Sequence, residues 1–143
     1  MDDPRDSYKA ATLRILGNFQ LLEFALKAYI ALAYSVIKTS VGEKVPFEYS
    51  GKDVESFPLE RLLSVFSKLN ANTHLIARLN KLRDERNHIA HRALLVTMGA
   101  MYDRGAVEDK YIEYFNLEDE LVECLRLVIE EARSLRERSK GAG

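Results

Sequence analysis

Residues 6–38, DSYKAATLRILGNFQLLEFALKAYIALAYSVIK, decide the fold that the sequence predicts. The stretch contains no proline and one glycine, and its apolar residues recur at helical spacing. It therefore predicts a helix of about thirty residues with Asp6 or Ser7 as the N-cap. Apolar side chains cover more than one face of this helix, because Leu22 lies opposite Leu13 on a helical wheel. We expect the helix to be buried on two sides.

Three further segments show a helical period, and no strands alternate with them. One helix begins at Pro58, the next is capped by Asn72 or Thr73 and runs to about Leu95, and the last is capped by Asn116. With 143 residues, the chain has room for one domain, residues 1–143. The pattern predicts an all-α fold, an antiparallel, up-and-down four-helix bundle.

The segment before the last helix loses the helical period. An Asp103-Arg104-Gly105 turn lies between two short runs, Val96–Met101 and Tyr111–Phe115. This arrangement permits a short hairpin at that point.

Composition narrows the class of protein. Hydrophobic residues make up 47% and charged residues 30% of the chain, as in ordinary globular proteins. Cys124 is the single cysteine, so no intramolecular disulfide can form, and a reducing compartment, the cytoplasm, is expected. The N-terminal sequence MDDPRDSYKA is acidic where a signal peptide is basic. The apolar run Ala25–Ile37 is too short for a membrane span, which needs about 20 residues.

Charge is distributed unevenly along the chain. The formal net charge of -1 gives no global basic field that would attract nucleic acid. All three histidines nevertheless fall within His74–His91, and residues 74–92 hold five basic and two acidic residues. Residues 103–123 hold two basic and eight acidic residues. Any site for an anionic ligand is therefore expected on the third helix, with the acidic segment shielding or orienting it.

Motifs for several enzyme classes are absent from the sequence. It contains no phosphate-binding glycine loop, no H-E-x-x-H and no G-x-S-x-G. His88 and His91 are spaced i,i+3 and Asp84 and His88 i,i+4, but neither a cysteine nor a third well-placed histidine completes a tetrahedral set. We therefore expect neither a metal nor a cofactor.

An arginine interrupts the apolar stripe of the third helix. Arg86 lies between Leu82 and Ile89 on the face that packs into the core. A buried guanidinium needs a partner, and Glu23, the one acid in the apolar part of the first helix, can supply it. Alternatively, Arg86 buries its stem and returns its charged group to water. The spacing alone leaves both arrangements open.

Two polar rows lie beside this stripe. Arg83, Asn87 and His91 follow at i, i+4 and i+8. Asp84, His88 and Arg92 form a second row next to them. A solvated helix face explains such rows at little cost, and a site for an anion is the alternative.

The run Leu82–His91 contains the pattern R-N-x-x-x-H, formed by Arg86, Asn87 and His91 on a helix of a small all-α chain. In this it resembles the HEPN family, in which an arginine, a neighbouring polar residue and a later histidine form the active motif of metal-independent endoribonucleases. The resemblance implies that Arg86 contacts phosphate, Asn87 orients the reacting groups and His91 acts as acid and base. A second register, Arg83 with His88, also satisfies the spacing.

The same resemblance implies an RNA substrate, such as a tRNA or mRNA, cleaved by attack of the ribose 2′-OH on its own phosphate. It also implies a homodimer with a composite active site, acting as the toxin or effector of a toxin-antitoxin or antiviral defence system. A minimal nucleotidyltransferase is a candidate antitoxin, although Ala93 stands where toxins modified by such enzymes often have tyrosine. The alternatives are an inactive HEPN-like module that binds RNA, nucleotide or a protein partner, and a plain structural helical domain.

Overall fold

The computed structural model describes the backbone of residues 4–97 and 104–141, and the side chains of residues 6–7, 9–89 and 116–140. Four α-helices form in these ranges: α1 (Pro4–Val41), α2 (Leu59–Leu69), α3 (Thr73–Thr97) and α4 (Arg104–Gly141). A single 3₁₀ turn, Gly51–Val54, lies in the long connection between α1 and α2. The predicted all-α helical bundle is confirmed.

Helix α1 lies at the centre of the bundle and packs most extensively against α4. Its buried residues recur every three or four positions and form one continuous row: Ala11, Ile15, Phe19, Leu22, Leu26, Tyr29, Ile30 and Ala33. The opposite side is exposed, with Leu13 71% and Phe24 73% accessible. The described part of the chain therefore covers only one of the two apolar faces that we expected to be buried.

Contacts between side chains give the directions of α1 and α4. Arg14 on α1 contacts Glu118 on α4 at 3.2 Å. Further along both helices, the Tyr29 hydroxyl accepts a hydrogen bond from Asn70 Nδ2, which also donates to Glu131 on α4. The two helices therefore run side by side in the same direction.

Helix α3 runs in the opposite direction to α4. The Asn72 amide, just before α3, donates to Glu131 Oε1 at 2.7 Å, and Arg78 lies further along α3 beside the earlier Glu120. Neighbours α3 and α4 are thus antiparallel, whereas α1 and α4 are parallel, so the helices do not alternate up and down throughout. The reason is that the long connection after α1 and the short α2 together return the chain to the level of Tyr29, where α3 begins.

Helix starts follow the predicted capping at α2 and α3. Pro58 immediately precedes α2, and Asn72 Oδ1 accepts a hydrogen bond from the backbone N–H of Leu75 at 3.1 Å. Gly42 follows α1 with a φ of +57°, which favours glycine.

The predicted hairpin is wrong. Residues 96–97 belong to α3, Tyr111–Phe115 lies inside α4, and residues 98–101 lie outside the described residues. Helix α4 begins at Arg104, so Asn116 is an interior residue of this helix and not its cap. Aromatic and β-branched residues suggested strands, but they continue a helical spacing: Val107, Tyr111, Tyr114, Leu117 and Leu121.

Among the described residues, one helix is long and apolar enough to cross a membrane by length and composition alone. The segment Lys9–Val41 of α1 meets that test, which core helices of soluble proteins also meet. Here its buried row packs against the other helices of the bundle.

Candidate functional site

Arg86, Asn87 and His91 all lie within α3, a single uninterrupted helix. The side chains of Arg86 and Asn87 are described, whereas the side chain of His91 lies outside the described residues. In an α-helix His91 is one turn beyond Asn87 on the same face, so its position follows from the helical register.

Arg86 lies in the buried row of α3, between Leu82 and Ile89, which are 2% and 1% accessible. Its Nη2 atom is 3.3 Å from Oε1 of Glu23 on α1. Of the two arrangements that the sequence leaves open for Arg86, the structure shows the ion pair with Glu23. Glu23 Oε1 is itself buried and accepts no hydrogen bond from the described residues, so the contact is an ion pair without hydrogen-bond geometry.

Within the described residues, the Arg86 guanidinium keeps donors that have no partner. A guanidinium has five N–H groups, and the one described contact of Arg86 involves Nη2. The Arg86 side chain is 38% accessible, against 18% for Glu23. Glu23 can therefore hold the guanidinium from inside the bundle while the remaining donors face an anion outside it.

The residues of the second register, Arg83 and His88, are also accessible to solvent. Arg83 donates from Nε and Nη2 to Oδ1 of its neighbour Asp84, both at 3.3 Å, and His88 and Asn87 are exposed. Unlike Arg86, Arg83 thus has a described partner on its own helix and none on another. The structure brings Arg83 and Asp84 together, and it places the Arg83 row beside Arg86 on the same helix.

The described residues contain no group of three or more His, Cys, Asp or Glu side chains that could hold a metal ion. Asp84 and His88 therefore form at most a pair within that part of the chain. The residues present suit chemistry by positioned N–H donors and imidazole groups.

Glu120 of α4 forms an ion pair with Arg78 in the first half of α3. Arg78 binds Glu120 with two hydrogen bonds of 2.7 and 3.1 Å, which hold the pKa of Glu120 below its ordinary value. The Cys124 thiol donates to the same carboxylate at 3.3 Å. Burial and the adjacent Glu120 raise the pKa of Cys124 to about 12. This cluster was not predicted from the sequence, although Glu120 and Cys124 stand at i,i+4 on one helix face.

The α4 contacts separate Arg78 from Arg86. Arg78 is paired with Glu120 on α4, whereas Arg86 is paired with Glu23 on α1. Within the described residues, Glu120 of the acidic segment thus pairs with Arg78, and Asn87 and His88 are exposed.

Comparisons with family models, curated proteins and solved structures return no match for this chain.

Proposed function

We propose that this protein is a metal-independent endoribonuclease of the HEPN type. The observation that supports this best is the position and pairing of Arg86. It lies in the core-facing row of α3, the helix that contains Asn87 and His91, and it is partly exposed while paired with Glu23. Holding a guanidinium in a buried row costs desolvation, which a purely structural helix avoids with an apolar residue. Binding of a phosphate accounts for that cost.

The proposed reaction uses only groups of the RNA and the protein. The ribose 2′-OH attacks the adjacent phosphorus, the bond to the 5′-oxygen breaks, and the products carry a 2′,3′-cyclic phosphate and a 5′-hydroxyl. The free donors of Arg86 stabilise the charge that develops on the non-bridging oxygens. Asn87 orients the phosphate or the imidazole, and His91 transfers the protons.

Two proton transfers favour two histidines, so we propose a homodimer in which both copies of His91 face one cleft. Apolar surface for a second copy is available on α1 and α4. Leu21 and Val122 are exposed and follow the Arg14–Glu118 contact along the same faces of the two parallel helices. This activity suits the toxin or effector of a defence system. Such a protein would act on tRNA or mRNA in the cytoplasm and be restrained by an antitoxin.

The test is cleavage of end-labelled single-stranded RNA by the purified protein in excess EDTA. His91→Ala should lower the rate by at least about 100-fold, the usual effect of losing a general acid or base. His74→Ala is the matched control, because His74 is exposed in the first turn of α3, outside the motif, and should leave the rate unchanged.

A loss of activity in His88→Ala with full activity in His91→Ala assigns the reaction to the Arg83 register. An RNA complex that forms without cleavage under any condition contradicts the enzyme and supports the inactive binding module. Neither cleavage nor RNA binding supports the plain structural domain.

A further inference from the structure

A groove of about 450 Å³ lies between α1 and the 3₁₀ turn that follows it. Its walls include residues from both elements: Phe24, Lys27, Ala28, Ala31, Gly51 and Lys52. The volume falls within the usual range for small-molecule sites, about 300–1,000 Å³.

Small residues bring the turn close to the helix and leave one aromatic ring uncovered. A Cβ on Gly51 would lie 2.9 Å from the Cβ of Ala31, so only glycine allows this approach. Phe24, on the same side of α1, is 73% accessible. Exposure of a phenyl ring beside a groove gives a planar ligand a surface on which to stack.

Two lysines give the groove its charge. Lys27 and Lys52 both line it, and neither takes part in the ion pairs among the described residues. Glu55, also in the lining, offsets one of the two positive charges. The remaining charge and the free ammonium groups complement an anion next to the stacking surface.

The groove lies next to Glu23, the ion-pair partner of Arg86. Phe24 follows Glu23 in sequence, and Lys27 lies one helical turn beyond Glu23, with Cβ atoms about 6 Å apart at such spacing. Glu23 in turn contacts Arg86. An RNA chain with one phosphate at Arg86 can therefore continue past Lys27 into the groove.

We propose that the groove binds an unpaired nucleotide of the RNA, with its base stacked on Phe24 and its phosphate between Lys27 and Lys52. This inference rests on the proposed function for its substrate class. A second copy of the chain fits the groove less well, since seating an apolar side chain there would desolvate the two lysines without supplying a carboxylate.

The test measures binding separately from catalysis. A fluorescently labelled, single-stranded 2′-O-methyl RNA lacks the nucleophilic hydroxyl, so its anisotropy reports affinity whether or not the protein cleaves RNA. Phe24→Ala should weaken binding at least about fivefold, and Phe24→Tyr should restore it, because base–aromatic stacking is lost and regained. Leu13→Ala, on the same helix and equally exposed, should bind like the wild type.

A second readout places the base at Phe24. The chain contains no tryptophan, so Phe24→Trp introduces a single one whose emission the RNA should quench. Leu13→Trp, about 16 Å away along α1 at 1.5 Å per residue, should show little quenching. An abasic oligomer of the same length should quench neither variant.

Lys27→Gln and Lys52→Gln should each reduce the slope of log K against log salt concentration by about 0.7, because each removes one phosphate contact.

The proposal is overturned if Phe24→Ala binds the 2′-O-methyl RNA as tightly as the wild type, or if the abasic oligomer binds the wild type as tightly as the intact RNA does. It is also overturned if Phe24→Ala changes only self-association in sedimentation. If the wild-type protein does not cleave RNA but the variants show these binding effects, the proposed enzyme activity is contradicted and the nucleotide-binding site is still supported.

Discussion

Removing the ion pair between Arg86 and Glu23 should destabilise the fold by an amount that its geometry sets. The perturbation is a double-mutant cycle with variants of similar volume, Arg86→Met and Glu23→Gln. At 3.3 Å the pair is in contact, and two unit charges at 4 Å attract by about 4 kcal/mol at an effective dielectric constant of 20. Desolvation and the 38% exposure of Arg86 reduce this value considerably.

Fully exposed pairs contribute about 0.2–1 kcal/mol, and breaking a buried pair costs about 3–5 kcal/mol. Because Glu23 is mostly buried and Arg86 is partly exposed, we expect Arg86→Met to cost about 1–2 kcal/mol. The coupling energy between the two sites should be about 1 kcal/mol. Urea unfolding at pH 7 and 25 °C, followed by circular dichroism, measures both quantities through the midpoint and slope.

The exposed neighbours Arg83 and Asp84 provide the control cycle, with Arg83→Met and Asp84→Asn. Their coupling should stay below about 0.5 kcal/mol and should weaken in high salt. Additive effects of Arg86→Met and Glu23→Gln, within about 0.3 kcal/mol, would show that the pair does not form in solution and would refute the reasoning.

The remaining predictions concern the cluster of Arg78, Glu120 and Cys124 and the groove turn. Native Cys124 should react with a disulfide reagent at pH 8 at least about a thousandfold more slowly than in denaturant, because burial raises its pKa to about 12; equal rates would contradict its burial. Glu120 has a lowered pKa in the fold, so its contribution to stability is present above its ordinary pKa of about 4.5 and is lost as pH falls through the lower value. The wild type should therefore exceed Arg78→Met in urea midpoint at pH 7 and lose that advantage toward pH 3, whereas a constant difference would count against the pairing. Gly51→Ala should cost about 1–3 kcal/mol in urea unfolding through its clash with Ala31, and a neutral substitution would show that the turn lies further from α1.

Local sequence patterns predicted the starts of α2 and α3 but not those of α1, which begins at Pro4 before Asp6 and Ser7, or α4, which begins before Asn116. The Asn72 cap and the start at Pro58 depend on neighbouring residues, and both were correct. The pair between Glu23 and Arg86 was one of the two arrangements predicted from the sequence, because each is an isolated charge in an apolar row and therefore needs a partner.

Features that depend on how helices are placed were not predicted. The parallel arrangement of α1 and α4 depends on how far the connection and α2 carry the chain, which periodicity does not encode. Aromatic residues at Tyr111–Phe115 favour strands locally, but the segment is helical within α4, whose apolar residues continue at helical spacing on both sides of it. The contact of Glu120 with Arg78 likewise depends on the register between α3 and α4.

The most direct test of the central claim is an end-group determination on RNA treated with the wild-type protein in excess EDTA. Mass spectrometry of the fragments should find 2′,3′-cyclic phosphate and 5′-hydroxyl ends, and the same fragments should be absent with His91→Ala. Intact RNA after prolonged incubation with the wild type, or fragments that form only when a divalent metal is added, would contradict a metal-independent ribonuclease.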